Sequence, residues 1–348
     1  MSTVLTCMER IPEKLAALAA QAEERFAPVK ELLNRHSIRT LIFVASGSSY
    51  NAAFAAKQFL ETECDLRVRL YYPNVFFNHE KISDMDALYV FLSQGGTTKM
   101  VFLSAKKAGE AGVLTCAVTS DPASPIGKAC DVSLDMGCGE EEFLYRTLGY
   151  SLTAATVCFL GLAAAGKDAI SVNHYREDLK TMAGNLPVTE RAAHAWYERN
   201  RFSLLRRNKA MLAGSGQLWP VAQEADIKLM EMVPMMTRSY ELEEFVHGPQ
   251  NCFADDMIFF ILSKSGEDEE KAVSIARFLK EKIGFCAMVG EVTMEPKDLP
   301  IQPASRYFWF LEYITVFQVL AYRMACDRGR DLSRGVNADI GAYISKTL

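Results

Sequence analysis

The sequence predicts an α/β protein made of two tandem lobes, each a doubly wound parallel sheet, that are related by internal duplication. Short, uniformly apolar runs alternate with helical stretches, which is typical of parallel sheets covered by helices on both faces. Three segments of the first half also recur in the same order in the second half, 169 or 170 positions later. The matching positions are Ser46 and Ser215, Ser93 and Ser263, and Cys116 and Cys286.

The apolar periodicity predicts the elements of the first lobe in chain order. Apolar residues at three- and four-residue spacing from Ile11 to Leu33 indicate an N-terminal helical segment, which Pro28 is expected to kink or divide. Strands and helices then alternate. The predicted segments are Leu41–Ala45, Tyr50–Glu61, Leu88–Leu92, Thr98–Ala111 and Val113–Val118.

Two segments connect the predicted lobes, and the second lobe is followed by a helix and a tail. The connecting segments are the apolar helical stretch Leu152–Ala165 and the polar stretch Asp168–Asn200. A final helix at Tyr307–Cys326 precedes the polar tail Asp327–Leu348. We therefore place the first domain at residues 1–190, with the N-terminal helix and the linker, and the second at residues 191–348.

Composition and charge limit the kind of protein this can be. Of 348 residues, 49% are hydrophobic and 23% charged, as in a globular protein with a large core. The net charge of −5 disfavours nucleic acid as the main partner, because such binders need a basic face. The longest apolar run, Leu152–Ala165, is shorter than the roughly 20 residues that span a membrane. With no signal-like pattern in Met1–Arg10, these features predict a cytoplasmic protein without membrane partners.

The nine cysteines are expected to be reduced. They are scattered along the chain, their number is odd, and none forms a CxxC pair. Several lie in apolar runs, which favours buried thiols over a disulfide framework. No His/Cys cluster has the spacing of metal ligands, so no metal site is expected.

Two turns at predicted strand ends are rich in glycine and hydroxyl residues. Ser46–Ser49 follows the first strand and Ser93–Thr98 a later one, and each leads into a helix. Backbone N–H groups at a helix N-terminus together with hydroxyls suit a phosphate. Either turn alone would also fit a tight βα turn with an N-capping serine, but the pair at adjacent strand ends favours a phosphate cradle. Since neither turn is a P-loop or a G-x-G-x-x-G fingerprint, the ligand expected is a small molecule with one phosphate.

The matching turn of the second lobe is predicted to be closed to phosphate. Leu218 and Trp219 follow Ser215–Gln217, at the positions where the first lobe has Ser49 and Tyr50. Only the first lobe is therefore expected to bind the phosphate.

Two further groups of residues are candidates for proton transfer. His247 ends an acidic run and is followed by Gly248-Pro249, so it is either a structural residue at a helix break or a group with tunable basicity in a cleft. Glu224, Lys228 and Glu231 share one helical stripe, and the ordinary interpretation of such a stripe is a solvated salt-bridge face.

Together these features resemble the tandem sugar isomerase (SIS) domain family. That family includes the isomerase half of glucosamine-6-phosphate synthase and the fructosamine-6-phosphate deglycases. The resemblance extends from about Leu41 to Asp339 and implies two flavodoxin-like SIS lobes. It also implies that the sugar phosphate is bound by Ser49, Ser93, Gln94 and Thr98, with Gly47 and Ser48 shaping the first turn. Gly95 stands where the synthase has a further serine, so one phosphate contact is expected to be absent or rearranged.

The resemblance assigns the chemistry to the second lobe. Glu231 would be the base that moves a proton between C1 and C2 of the sugar, with Lys228 in register as a substrate-binding residue. His247 would assist ring opening and, by the pattern of the family, reach the site of a neighbouring subunit, so a homodimer with sites at the subunit interface is expected. Arg334 matches the position of the lysine that forms a Schiff base in the synthase.

This arginine determines which reaction the resemblance favours. A guanidinium stays protonated and cannot form an imine. Glu140–Tyr150 is also more similar to the deglycases than to the synthase. We therefore expect cleavage of a sugar-amine (Amadori) 6-phosphate to a hexose 6-phosphate and an amine, without cofactor. The alternatives are an aldose–ketose phosphosugar isomerase, an isomerising amino-sugar-phosphate deaminase, or a non-catalytic phosphosugar sensor.

Overall fold

The chain folds into two compact units, and both are discontinuous in sequence. The structure, a computed structural model, describes residues 3–34 and 36–348. The first unit consists of Arg10–Glu142, Arg146–Lys180 and Gly335–Leu348, and the second of residues 3–9, Phe143–Tyr145 and Thr181–Arg334. The domain boundary at residue 190 stays a prediction. It marks where one copy of the duplicated sequence ends, whereas the two units are defined by which residues pack together.

Residues 3–34 and 36–348 contain ten strands and twelve α-helices. The strands are β1 (Thr40–Val44), β2 (Arg67–Tyr71), β3 (Ala87–Leu92), β4 (Leu114–Thr119), β5 (Val132–Asp135), β6 (Lys209–Gly214), β7 (Met236–Glu241), β8 (Met257–Ser263), β9 (Cys286–Gly290) and β10 (Leu299–Pro300). The helices are α1 (Val4–Glu9), α2 (Ile11–Ala20), α3 (Ala22–Leu33), α4 (Gly47–Glu63), α5 (Pro73–His79), α6 (Lys99–Glu110), α7 (Pro125–Lys128), α8 (Leu148–Ala164), α9 (Ala169–Leu205), α10 (Leu218–Met232), α11 (Glu269–Phe278) and α12 (Trp309–Asp327).

The two sheets have the same topology, which confirms the predicted pair of doubly wound lobes. The strand order is β2-β1-β3-β4-β5 in the first unit and β7-β6-β8-β9-β10 in the second, and every pairing is parallel. The central strands β1, β3 and β8 are buried on nearly every residue, since helices cover both faces. The duplication extends to the helices, because α4 packs on α8 in the first unit and α10 packs on α12 in the second.

Helix α8 forms the core of the first unit. Every residue from Leu148 to Ala163 is buried, and the helix packs against α2, α3 and α4. The apolar stretch that the sequence analysis placed between the lobes is therefore an internal helix rather than a connector. Within the part of the chain that the structure describes, no helix is both long and apolar enough to cross a membrane.

One expectation about helices needs correction. The N-terminal helical segment is divided at Gln21, and Pro28 lies inside α3 rather than at a break. The helix continues through Pro28 because Phe26, Val29 and Leu33 are buried, and this packing offsets the backbone hydrogen bond that proline cannot donate.

The polar stretch Asp168–Asn200 is predicted to connect the lobes, with no secondary structure assigned to it. It lies almost entirely within a single helix of 37 residues, α9. Its buried side chains recur at helical spacing, as at Leu179, Met182 and Leu186, although the average composition is polar.

Candidate functional site

The topology of the first sheet places the two hydroxyl-rich turns side by side. The strand order reverses between β1 and β3, and open parallel sheets bind ligands beyond the carboxyl ends of the strands at such a point. Val44 at the end of β1 is in register with Phe91 near the end of β3. The turns Ser46–Ser49 and Ser93–Thr98 therefore leave the same edge of the sheet from neighbouring strands.

The first turn carries its hydroxyls on the N-terminal turn of α4. Gly47 begins the helix with a φ of +56°, a left-handed conformation that favours glycine. The backbone of Ser46 is extended, and its side chain makes no capping hydrogen bond to the helix. Ser48 and Ser49 are partly exposed. N–H groups and hydroxyls thus meet at the N-terminus of a long helix, where the dipole favours an anion.

The second turn is held together by its own hydroxyl pair. Ser93 Oγ lies 2.9 Å from Thr98 Oγ1, and Ser93 is 5% exposed. Gly96 has a φ of +61°, and a Cβ there would lie 2.0 Å from Ser124 Oγ. Glycine is therefore required at position 96, and it brings the backbone of this turn close to Ser124.

The side chain and the backbone carbonyl of Gln94 both form hydrogen bonds within the protein. Its Nε2 donates to Glu141 Oε2 at 2.9 Å, and its carbonyl accepts bonds from Thr119 Oγ1 and from Ser120. Glu141 is not among the site residues predicted from the sequence. An acidic residue shortly before an apolar helix was the available signal, because such residues cap helix N-termini. The substrate contact expected of Gln94 remains a prediction.

The C-terminal segment pairs with the same turn. Thr347 forms an antiparallel bridge with Thr98. Lys99 N–H donates to Lys346 O at 3.0 Å, and Leu348 N–H donates to Thr97 O at 3.0 Å. This pairing uses one of the free N–H groups of α6 and brings Lys346 next to the predicted cradle.

In the second unit, Glu224, Lys228 and Glu231 form an ion-pair chain along α10. Lys228 Nζ lies 3.0 Å from Glu224 Oε1 and 2.6 Å from Glu231 Oε1. The side chains of Lys228 and Glu224 are 0% exposed, whereas that of Glu231 is 30% exposed. The stripe is therefore not a solvated salt-bridge face: α10 packs on α12 and buries its inner end, and only Glu231 reaches solvent.

Lys228 is held in its charged form. Burial alone would lower the pKa of this ammonium, but the charges of Glu224 and Glu231 and the hydrogen bonds to them outweigh burial and raise the pKa. A protonated amine cannot attack a carbonyl. Lys228 is therefore suited to orient Glu231 and to stabilise negative charge, and not to form an imine.

His247 lies on an exposed turn between two short 3₁₀ segments, Glu244–Val246 and Pro249–Cys252. Its side chain is 62% exposed, and Nε2 lies 2.8 Å from Glu243 Oε1. Glu243 also forms an ion pair with Lys271. The imidazole is thus anchored at one nitrogen and accessible from solvent.

The loop after α12 packs against the end of α10. Arg330 Nε donates to Met232 O at 3.4 Å, one residue after Glu231. Tyr145 is buried, and its hydroxyl donates to Arg334 O at 3.2 Å. The Arg334 side chain is 86% exposed, 3.5 Å from Asp331. Arg334 therefore extends into solvent from a loop that is anchored beside the helix of Glu231.

The predicted site residues thus form two sets, and each unit holds one. The first unit contains Gly47, Ser48, Ser49, Ser93, Gln94 and Thr98, and the second contains Lys228, Glu231, His247 and Arg334. Residues 3–34 and 36–348 contain no group of three or more His, Cys, Asp or Glu that could hold a metal ion.

Comparison with known proteins defines the class to which this fold and these turns belong. The SIS domain model matches residues 36–164 and 203–292, which is more than half of the chain. The chain belongs to the SIS domain family, with one matched stretch for each of the two sheets.

Individual relatives are similar in sequence or in fold. Glutamine–fructose-6-phosphate aminotransferase (isomerising) of Streptococcus agalactiae serotype V is 24% identical over 303 residues, which cover 85% of this chain and 50% of that protein. The chain spans about half the length of the curated relatives it matches.

Two solved structures share the whole fold. A protein from Clostridium difficile 630 with a provisional assignment as a phosphosugar isomerase has a TM-score of 0.91 at 23% identity, covering 100% of this chain and 99% of that one. Glucosamine-6-phosphate deaminase from Thermotoga maritima has a TM-score of 0.79 at 21% identity, with coverage of 100% and 99%. At these identities the likeness establishes the shared fold.

Proposed function

We propose that this chain is a phosphosugar enzyme in which Glu231 moves a proton between C1 and C2 of a sugar 6-phosphate. The observation that carries the proposal is the partly exposed carboxylate of Glu231 held at 2.6 Å by the buried ammonium of Lys228. A general base needs a fixed position and access to the substrate, and this pair supplies both. The two hydroxyl-rich turns are the proposed phosphate ligands, and the named relatives act on phosphosugars or on their amino derivatives.

The proposed substrate is a sugar-amine 6-phosphate with the amine on C1. Glu231 takes a proton from C1 and delivers it to C2, so the C1–H bond breaks and a C2–H bond forms. The amine nitrogen gives up its N–H proton as the C1–N double bond forms, and the C2 carbonyl oxygen takes up a proton to become a hydroxyl. The product is an imine between C1 and the amine nitrogen. Water adds to C1, the C1–N bond breaks, and hexose 6-phosphate and the free amine leave. This sequence needs no enzyme amine, which agrees with arginine at position 334 and with a protonated Lys228.

A second candidate is a Schiff-base isomerase or an amino-sugar-phosphate deaminase. Lys346 favours this candidate, because its backbone pairs with the turn that holds Thr98 and its side chain is exposed. An exposed ε-amine is the kind of group that forms an imine with the carbonyl of an open-chain ketose. On this alternative Lys346, and not the position of Arg334, supplies the imine-forming amine.

One set of assays separates these candidates. The purified chain is incubated with ketosamine 6-phosphates of several amino acids, with glucosamine 6-phosphate and with fructose 6-phosphate, and the released hexose 6-phosphate and amine are measured. Deglycation predicts hexose 6-phosphate from the ketosamines and its absence in Glu231→Gln, with the exposed Glu281→Gln as matched control. Turnover of glucosamine 6-phosphate or fructose 6-phosphate alone would favour the second candidate, and binding without any turnover would favour a sensor.

Borohydride reduction provides an independent test of the mechanism. Deglycation predicts that fructose 6-phosphate leaves no covalent adduct on the protein. An adduct that maps to Lys346 by peptide mass, and that Lys346→Arg abolishes, would establish the Schiff-base route instead.

We further propose that the working unit is a homodimer, with His247 acting in the site of the neighbouring subunit. The support is the position of this imidazole on an exposed turn, together with the pattern of the family.

A further inference from the structure

Glu141 is a buried carboxylate in the first unit to which the sequence analysis assigned no role. Its side chain is 0% exposed. Oε1 accepts bonds from Thr147 N–H at 2.8 Å, Thr147 Oγ1 at 3.1 Å and Leu148 N–H at 3.0 Å, and Oε2 accepts a bond from Gly149 N–H at 3.0 Å. These donors form the N-terminus of α8, whose dipole stabilises the buried negative charge.

The fifth donor is the side chain of Gln94, at 2.9 Å from Oε2. A carboxylate offers about four lone-pair sites, so five donors saturate Glu141. It has no capacity left for a ligand. Any effect of Glu141 on a sugar phosphate must therefore pass through one of the groups it holds, and Gln94 is the one that belongs to the predicted cradle.

Gly149 leaves the space that Gln94 occupies. A Cβ at position 149 would lie 1.9 Å from Gln94 Oε1 and 2.4 Å from its Cδ. The Gln94 side chain is thus held by Glu141 and by the surface of α8, while its backbone carbonyl accepts bonds from Thr119 and Ser120 at the end of β4. Ser93 and Gly95, the neighbours of Gln94, must follow its position.

We propose that Glu141 is a positioning residue for phosphate binding: it fixes Gln94 and, through Gln94, the turn that carries Ser93 and Thr98. This inference rests on the proposed function, because it assigns the ligand of that turn as the phosphate of a sugar phosphate. On this proposal the Gln94 side chain holds the turn in position and does not bind the phosphate directly. Gly149 also contributes, since a larger residue at this position would displace the Gln94 side chain.

The test measures binding of glucose 6-phosphate and of glucose by titration calorimetry. Gly149→Ala pushes the Gln94 side chain aside and is otherwise favourable in a helix. Glu141→Gln replaces one acceptor oxygen by an NH₂ group that faces backbone donors. Both variants are expected to raise the Kd of glucose 6-phosphate about tenfold or more, as for a lost hydrogen bond to a charged group. Binding of glucose itself, and kcat at saturating substrate, should stay within about twofold of the wild type.

Matched controls are present in the chain. Glu142→Gln changes an exposed neighbour in the same acidic triplet, and Gly184→Ala adds a methyl group on α9, where the nearest space is open. Both should bind glucose 6-phosphate like the wild type. If Glu141→Gln does not fold, Gly149→Ala still tests the proposal, because it leaves the carboxylate and its caps intact.

Gln94→Leu separates positioning from direct contact. If the Gln94 side chain positions the turn, Gln94→Leu weakens binding of glucose 6-phosphate, and adding Glu141→Gln causes no further loss of affinity. If Gln94→Leu weakens binding while Glu141→Gln and Gly149→Ala do not, Gln94 is a direct ligand and the proposal is wrong. If the wild type does not discriminate glucose 6-phosphate from glucose, the phosphate cradle itself is refuted, which is a different failure.

Discussion

Lys228 Nζ lies 2.6 Å from Glu231 Oε1, and the two residues share one face of α10. The ammonium is fully buried while the carboxylate is 30% exposed, so a charge fixed in the interior orients a carboxylate at the surface. On the buried side, Glu224 Oε1 lies 3.0 Å from Lys228 Nζ. The position of the Glu231 carboxylate is therefore determined by its contact with a buried residue, unlike that of a flexible surface side chain.

We predict that Lys228→Met destabilises the protein by about 3–5 kcal/mol at pH 7. The substitution leaves Glu224 buried without its cation, and breaking a buried pair from one side has this cost. Chemical denaturation measures the free energy of unfolding. The exposed Lys282→Met is the control and should be neutral, and the double variant Lys228→Met/Glu224→Gln should recover part of the loss. Wild-type stability in Lys228→Met would contradict the buried pair.

The pH dependence of the same pair has a defined sign. The pKa of Lys228 is raised in the folded state, so its contribution to stability is fully present below the unfolded pKa of about 10.4. That contribution is lost as the pH rises through the higher folded pKa. The difference in unfolding free energy between the wild type and Lys228→Met should therefore be constant from pH 7 to pH 9 and shrink at strongly alkaline pH. A difference that grows with pH would show that the pKa is lowered instead.

We predict that Ser93→Ala and Thr98→Val weaken binding of hexose 6-phosphates by about 1–3 kcal/mol without loss of fold. Their hydroxyls lie 2.9 Å apart at the predicted cradle, and losing a hydrogen bond to a charged group has this cost. Titration calorimetry gives the affinity, and circular dichroism checks the fold. Ser215→Ala, at the matching turn of the second unit, is the control. Equal affinity for hexose and hexose 6-phosphate would exclude a phosphate site.

We predict partial recovery of activity when inactive Glu231→Gln and inactive His247→Ala are mixed. If His247 acts in the site of a neighbouring subunit, hybrid dimers contain one site with both native residues. The measurement is turnover after subunit exchange, with exchange followed by mass tags on each variant. Complete exchange without recovery would place both residues in the site of one subunit.

We predict that Arg334→Ala raises the substrate Kd but leaves proton exchange at C1 in place. The guanidinium is 86% exposed and suits an anion contact, whereas Glu231 is the residue proposed to transfer the proton. Deuterium incorporation from heavy water, followed by NMR, reports the exchange step separately from binding. Arg306→Ala, a change at another arginine of the second unit, is the control. Loss of exchange at saturating substrate would show that Arg334 takes part in the chemistry.

We predict that Cys252 and Cys326 react first with a thiol reagent at pH 8. Both are exposed, whereas burial raises the pKa of Cys64, Cys130 and Cys138 to about 12 and that of Cys116 and Cys158 well above its usual value. Mass spectrometry after limited iodoacetamide treatment identifies the labelled residues. Fast labelling of Cys158 would show that α8 is not a buried core helix.

Local patterns were sufficient for the architecture. The uniformly apolar runs at β1, β3 and β8 and the repeat at 169 or 170 positions predict two parallel doubly wound sheets. The apolar runs arise from residues next to each other in the chain, and the repeat arises from short segments that can be compared directly. They did not predict the break at Gln21, the continuity of α3 through Pro28 or the long helix α9. Those features depend on which side chains become buried. Neither the presence of one proline nor the polar average composition of a segment predicts which of its side chains are buried.

For the site, the chemical groups could be identified from local patterns: the hydroxyl-rich turns after β1 and β3, the stripe Glu224, Lys228 and Glu231, and the histidine before Gly248. Their burial and their partners depend on the tertiary structure. It buried Lys228 between two carboxylates, engaged Gln94 with Glu141 and paired the segment around Lys346 with Thr98. The physical reason is that a charge or an amide has no fixed role in an extended chain, since its pKa and its partners are set by burial and by groups distant in sequence.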